Sequence, residues 1–187
     1  MGEPTGRAAR TRARLAACAL ELFEQHGYDA TTTAQVAAAA GVSEMTLFRH
    51  FPAKERLVAD DPYDPAIAEA VAAQPTSLPP LARATAGVRT AWAALPEPDT
   101  EELRRRVRIA AHTPSLTAAL YANTRATEEA ITEALVSGDV PRERARIAAA
   151  ATLAALTTAL LHWAETDGGT LGDAVLGALD VLDGTAR

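Results

Sequence analysis

Two helix-start signals eleven residues apart, with a tight turn between them, constrain this chain more than anything else in it. Thr32-Thr33-Ala34-Gln35 has the form of a capping box: the Thr32 hydroxyl accepts from the backbone N–H three residues on, and Gln35 reaches back to the N–H of the cap. The helix it opens is short, because Gly41-Val42-Ser43 follows Ala40. Gly41 supplies the backbone freedom of a turn, Val42 is apolar and can plug the junction, and Ser43 is a second N-cap. Residues 44–50 make the next short helix, closed by Phe51-Pro52, and a fourth starts at Ala53 and runs through Val58. A longer helix before them, from Arg7 to His26, carries Leu15, Ala19, Leu22 and Phe23 at spacings of three and four and stops at Gly27. Two short helices packed behind a longer one are the helix-turn-helix layout.

Rotation about the second short helix, at about 100° per residue, separates its faces. Leu47 and Phe51 fall together and face a core. Met45, Thr46 and Arg49 fall roughly opposite, with His50 beside them, and Glu44 and Phe48 lie on the flanks. Such a face suits the major groove, where Arg can take guanine O6 and N7, and Met or a Thr methyl can meet a thymine methyl. Thr32, Thr33, Ser43 and Lys54 are placed to add contacts to the phosphate backbone. The arginines at 7, 10, 12 and 14 either reach the minor groove or backbone, or form a solvated helix face behind a floppy tail.

The rest of the chain continues in helices. The first six residues, MGEPTG, read as a disordered tail. Prolines 62, 65, 75, 79 and 80 mark a linker region holding one short helix, about 66–73. Leu81, Thr85, Val88, Trp92 and Leu95 then share a face. Pro96 and Pro98 break the chain, and Asp99 with Glu102 caps a helix to about His112. Thr113-Pro114 is an N-cap with proline at the first helical position, opening a helix to about Val136 that stops at Gly138. Pro141 opens a long helix to about Glu165, Gly168-Gly169 turns, and residues 170–183 form the last. The expectation is an all-α chain of about nine helices: a three-helix helix-turn-helix DNA-binding domain over 7–58 and a helical ligand-binding and dimerisation domain over 59–187.

Composition excludes several alternatives. Apolar residues make up 48% and aromatics only 4%, so the apolar content is mostly Ala and Leu, which favours helix over strand. The single cysteine, Cys18, rules out an intrachain disulfide framework, and with no Cys/His cluster a structural zinc is not expected; a reducing cytoplasm fits. No metal and no cofactor are expected. The N-terminal arginines precede a stretch of small residues, but Glu21 and Glu24 interrupt it, which argues against a signal peptide. Residues 147–164 carry no formal charge, yet they are rich in Ala and Thr and contain His162, so a helix buried on most sides, as at a subunit interface, accounts for them better than a membrane span. Net charge is −6, unevenly spread: residues 1–58 hold seven basic and six acidic side chains, the remainder eleven and eighteen. Any contact to DNA therefore belongs in the first third.

The run Phe23…Gly27-Tyr28…Thr31-Thr32…Val36-Ala37…Ala40-Gly41-Val42-Ser43…Thr46-Leu47-Phe48…His50-Phe51…Lys54-Glu55…Leu57 resembles the N-terminal domain of the tetracycline-repressor (TetR/AcrR) family, in order and without a gap. The later helices resemble the family in layout only. The resemblance implies a homodimer on a palindromic operator, usually a repressor, whose last two helices pack with their partner's as a four-helix bundle. It also implies a small effector in the C-terminal domain that changes the spacing of the reading heads and releases DNA. Two positions depart from the pattern: Phe48 stands where tyrosine is common, removing a hydroxyl contact to phosphate, and Met45 stands where glycine is frequent, offering a side chain to the groove.

Trp92, His112, Tyr121, Asn123, Arg125 and His162 are the residues best suited to line an effector pocket, although core packing or plain surface is an alternative for each. Leu153, Leu156, Leu160 and Trp163 on the long helix, with Leu171, Val175, Leu179 and Leu182 on the last, form apolar stripes open to core or dimer use. The uncharged length of 147–164 exceeds what one packing face needs, which favours partial use between subunits. Arg104-Arg105-Arg106-Val107-Arg108 reads as a solvated face paired with Glu101, Glu102 and neighbours rather than a second nucleic-acid patch. A helical-bundle enzyme is the competing class, but no H-E-x-x-H, Glu-x-x-His, Ser/His/Asp spacing or glycine-rich phosphate loop supports it. An activator, or a regulator whose sensor domain no longer works, remains open beside the repressor.

Overall fold

The computed structural model describes residues 6–59, 64–94, 100–166 and 168–185, and among them all regular structure is helical. The helices are α1 (Arg7–His26), α2 (Thr33–Ala39), α3 (Glu44–His50), α4 (Arg56–Ala59), α5 (Asp64–Ala72), α6 (Pro80–Ala94), α7 (Thr100–Ala111), α8 (Thr117–Val136), α9 (Arg142–Glu165) and α10 (Leu171–Asp183), with a 3-10 turn over Pro114–Leu116 before α8. The all-α expectation holds. Of the disordered tail expected over the first six residues, 1–5 lie outside the described residues, as do the proline at 62, Leu95, the Pro96/Pro98 break and the Asp99 cap; Gly6 directly precedes α1 and its carbonyl accepts from the Arg10 N–H.

Some boundaries differ for local reasons. Residues 53–55 precede α4 rather than belong to it: the N–H groups of Arg56, Leu57 and Val58 bond to the carbonyls three residues back, each at 3.1 Å. Thr113 makes no side-chain cap bond, so the first turn after it tightens to 3-10. Thr170 and Asp173 form a complete capping box on α10, a start signal stronger than the glycine pair before it. After α8 the left-handed residue is Asp139, at φ 67°, and not Gly138.

The described residues form two compact units. The first combines 1–60 with 101–120. Its core joins Leu15, Ala19 and Phe23 of α1, Val36 and Ala37 of α2, Leu47 of α3 with Phe51, Leu57 and Val58. Leu116 is wholly buried in the same core, so the stretch before it packs with the reading module, a grouping that a division after residue 58 does not anticipate. Each fully buried Leu or Phe contributes about 1.5–3 kcal/mol, so this short module is held chiefly by its buried apolar side chains.

The second unit combines 61–100 with 121–187. Val71, Ala84, Ile131, Leu135, Ala145 and Ala149 centre its core. The buried hydroxyls of Thr127, Thr132 and Thr152 each donate to the carbonyl four residues back in their own helix, which satisfies them without a partner element. Arg83 is 1% exposed. Its guanidinium donates over 3.4 Å to the Gly138 carbonyl and over 3.5 Å to that of Ala72, and its Nε has no partner. A Cβ on Gly138 would lie 2.0 Å from Nη1, so what favours glycine there is the close approach of the guanidinium and not a left-handed backbone. By length and composition α9 is able to cross a membrane; about a third of its apolar window is buried within this unit.

Candidate nucleic-acid interface

The turn region forms as its residues dictate. Thr32 accepts from the Gln35 N–H at 3.2 Å while Gln35 Oε1 accepts from the Thr32 N–H at 2.7 Å. Gly41 adopts φ 63°, a left-handed conformation that β-carbons oppose. The Val42 N–H returns to the Ala37 carbonyl at 2.9 Å and closes the turn. Ser43 accepts from the Thr46 N–H at 3.2 Å, and the two hydroxyls share a further bond of 2.9 Å.

The faces of α3 separate as rotation predicts. Leu47 is wholly buried and Phe51 nearly so, whereas Met45 is 82% exposed. Arg49 and Glu44 are exposed, Phe48 is 43% exposed, and Thr46 and His50 are half-buried. The Glu44 carboxylate is held by the Thr33 hydroxyl of α2. Thr32 is exposed and Thr33 half-buried. The structure thus brings nine of the ten candidate contact residues, from Thr32 to His50, onto α2 with its cap, the turn and α3.

Lys54 is disposed differently. Its ammonium donates to the Tyr28 carbonyl at 2.5 Å and sits over the Tyr28 ring at 4.1 Å and the Phe23 ring at 5.8 Å. Burial pushes its pKa below the ordinary lysine value, with Asp29 opposing the shift. Burial likewise pushes the Tyr28 phenol up to about 12, helped by Glu55 and Asp29. The Phe23 and Tyr28 rings meet at 5.0 Å in a tilted pair, so a small aromatic platform receives the cation.

Arg12 is a site residue that sequence reasoning missed in its actual role. Its guanidinium lies 4.1 Å over the Phe51 ring and donates to the His50 carbonyl, which as part of the last turn of α3 has no partner within the helix. Two members of the arginine run also reach beyond α7. Arg105 makes a two-pronged pair with Glu24 of α1, both contacts at 2.7 Å, which holds that carboxyl below its ordinary pKa. Arg106 donates from Nε and Nη2 to the Val58 carbonyl at 3.1 and 2.9 Å, and Ser115 donates to Asp29 at 2.6 Å. Glu24, Val58 and Asp29 lie in the helix-turn-helix segment, and only the folded packing shows these contacts.

Of the effector-pocket candidates, His112 belongs to the first unit and is exposed; Tyr121, Arg125 and His162 are exposed on the second. Trp92 and Asn123 are half-buried. Of the dimer candidates, Trp163, Leu171 and Leu179 are buried within the single chain, and Leu153, Leu156, Leu160, Val175 and Leu182 are half-buried. The exposed large apolar residues of α9 and α10 are instead Ile147 (63%), Leu161 (39%), Leu176 (39%) and Val181 (66%). Alanines at nearly every turn of α9 blur its periodicity, which is why sequence alone did not single these out.

Comparison with known proteins agrees with this geometry. The family profile described as bacterial regulatory proteins, tetR family, matches residues 15–60, and that described as the MftR C-terminal domain matches residues 78–186. The HTH-type transcriptional regulator TcmR of Streptomyces glaucescens is 50% identical over 48 residues, which span 26% of this chain and only 21% of TcmR. NalD of Pseudomonas aeruginosa, the secondary repressor of the MexAB-OprM multidrug efflux pump, superposes at a TM-score of 0.56 and 21% identity over 94% of this chain and 96% of its own. Tylp, a tetR regulator from Streptomyces fradiae, gives 0.56 and 21% over 96% and 88%. FadR of Thermus thermophilus, a repressor solved in complex with lauroyl-CoA, gives 0.52 and 21% over 94% and 95%. At such identities these structures share the fold with this chain, and no more follows from them.

Proposed function

Because the chain belongs to the tetR family of bacterial regulatory proteins, we propose that it is a ligand-responsive transcriptional repressor, acting in the cytoplasm as a homodimer on palindromic operator DNA. One observation carries the reading: α3 buries Leu47 and Phe51 and turns Met45 and Arg49 outward on a helix fixed at both ends. The Ser43 cap holds its start and Arg12 holds its end. Thr32, Thr33 and Ser43 flank the groove-facing side chains as phosphate contacts, and Thr46 and His50 border the same face. Helix termini and hydroxyls of this kind fix register on a duplex, while side chains at base edges select sequence.

The exposed apolar residues of α9 and α10 are where a second copy would be covered, giving a two-fold assembly with two reading heads. Trp92 and Asn123, partly enclosed in the second unit, are the first candidates for an effector pocket. The lauroyl-CoA held by FadR is the kind of small molecule that fold accommodates in a relative. No enzymatic activity is assigned to the chain.

Selection of bound duplexes from a random pool by the full-length protein tests the proposal. The expected result is a palindrome with half-sites a helical turn or more apart and binding that weakens steeply with salt. Retention of no duplex at low salt would overturn it.

A further inference from the structure

Among the seven residues of α3, four are already committed. Leu47 is buried, Thr46 shares its hydroxyl with Ser43, Glu44 is held by Thr33, and the His50 carbonyl is capped by Arg12. The side chains of Met45, Phe48 and Arg49 make no hydrogen bond, ion pair or ring contact among the described residues. Met45 is the most exposed large apolar side chain among them, at 82%, and Phe48 beside it is 43% exposed. Met45 and Phe48 thus leave apolar area on the outer face of a capped two-turn helix, where a duplex docked on that face would cover it. Arg49 follows Met45 by four residues, so the two point the same way about 6 Å apart along the axis, close to two base-pair steps of a duplex.

Only one base edge in the major groove offers an apolar surface, the 5-methyl of thymine, and guanine offers the paired acceptors O6 and N7 that a guanidinium takes with two bonds. We infer that Met45 selects a thymine in each operator half-site through its methyl group, within about two base pairs of a guanine taken by Arg49. The inference rests on the reading of the chain as an operator-binding regulator and deepens it by stating what the half-site must contain. One carboxylate oxygen of Glu44 accepts from the Thr33 hydroxyl, which orients the side chain on the flank of this face. Met45 and Phe48 together form the apolar half of the reading face, and Arg49 forms the charged half.

The test starts from the operator obtained by random-pool selection with the full-length protein. Each thymine of a half-site is replaced in turn by deoxyuridine, which removes the methyl group and leaves every hydrogen-bonding atom in place. Each guanine is replaced in turn by 7-deazaguanine. Affinities are measured for the wild-type protein and for Met45→Ala, Met45→Leu and Arg49→Ala. One thymine position weakens wild-type binding about fourfold when the change is made in one half-site, and about tenfold or more in both. Met45→Leu keeps that sensitivity and Met45→Ala abolishes it. The neighbouring guanine shows the same pattern with Arg49→Ala. Methyl removal that never weakens wild-type binding, or that weakens Met45→Ala equally, overturns the inference while leaving operator binding intact. Failure to select any duplex overturns the underlying reading instead, and with it this one.

Discussion

Lys54 lays its ammonium over the ring of Tyr28 at 4.1 Å and donates a hydrogen bond to the carbonyl oxygen of that same residue. A cation held in this way ties the loop after α1 to the stretch before α4, and it has little reason to leave for a phosphate in water. Lys54→Met keeps the apolar stem and removes the charge. The expected outcome is a loss of about 1–2 kcal/mol of stability with an unchanged slope of log affinity against log salt. Were Lys54 a phosphate ligand, its removal would lower that slope by about 0.9 for each phosphate no longer neutralised, hence by about two in a dimer. A drop of that size in the variant would show that Lys54 swings out to the backbone on binding.

The same cluster sets an alkaline limit. Burial of Tyr28 raises its phenol from the ordinary 10.0 to about 12, so the folded state holds this proton more tightly than the unfolded chain does. The stabilisation is complete below pH 10 and is lost as pH rises through about 12, because the unfolded phenol ionises first. Ultraviolet titration of phenolate in the folded protein is expected to show a step at about 12 that is absent from Tyr28→Phe. If the wild-type titration lacks that late step, the ring is not shielded as described.

What could be read from the sequence depended on how far apart the interacting residues lie. Thr32 and Gln35 are three apart, so their reciprocal cap is visible as a motif. Leu47 and Phe51 are four apart, and the helical period alone puts both inward. Arg12 meets His50 across 38 residues, Lys54 meets Tyr28 across 26, and Arg106 meets Val58 across 48. Those pairs depend on how helices cross, which no local pattern encodes, so the capping and stapling contacts of these three cations are visible only in the folded chain. The dimer stripes were hard to resolve for another reason. On α9 nearly every face is Ala, Leu or Thr, and only the packed structure separates Trp163, buried, from Leu161, exposed.

Arg83 and Gly138 form the tightest steric dependence in the second unit. The guanidinium occupies the space a Cβ at position 138 would need, and with 1% exposure it has nowhere to retreat. Gly138→Ala is expected to cost about 1–3 kcal/mol in the wild-type background. In an Arg83→Ala background the same change should cost close to nothing, since the obstructing atoms are gone. Denaturant unfolding of the two single variants and the double variant measures the coupling. Equal cost in both backgrounds would mean that the Arg83 guanidinium does not set the preference for glycine.

The proposed dimer makes the broadest demand on the structure. Leu176 and Val181 lie on α10 with 39% and 66% of their surface exposed, so a charge there leaves the buried core of the chain untouched. Trp163, Leu171 and Leu179 are unsuitable for this test, because a charge at a buried position would unfold the subunit whether or not it dimerises. Leu176→Glu with Val181→Glu is expected to give a monomer by sedimentation, with helical content unchanged by circular dichroism. Operator affinity should fall by about 10²–10⁴, since each reading head then binds without the effective concentration supplied by its partner. Binding to a single half-site should be the same for variant and wild type at equal concentration of heads. A variant that still sediments as a dimer would show that Leu176 and Val181 of α10 do not form the interface.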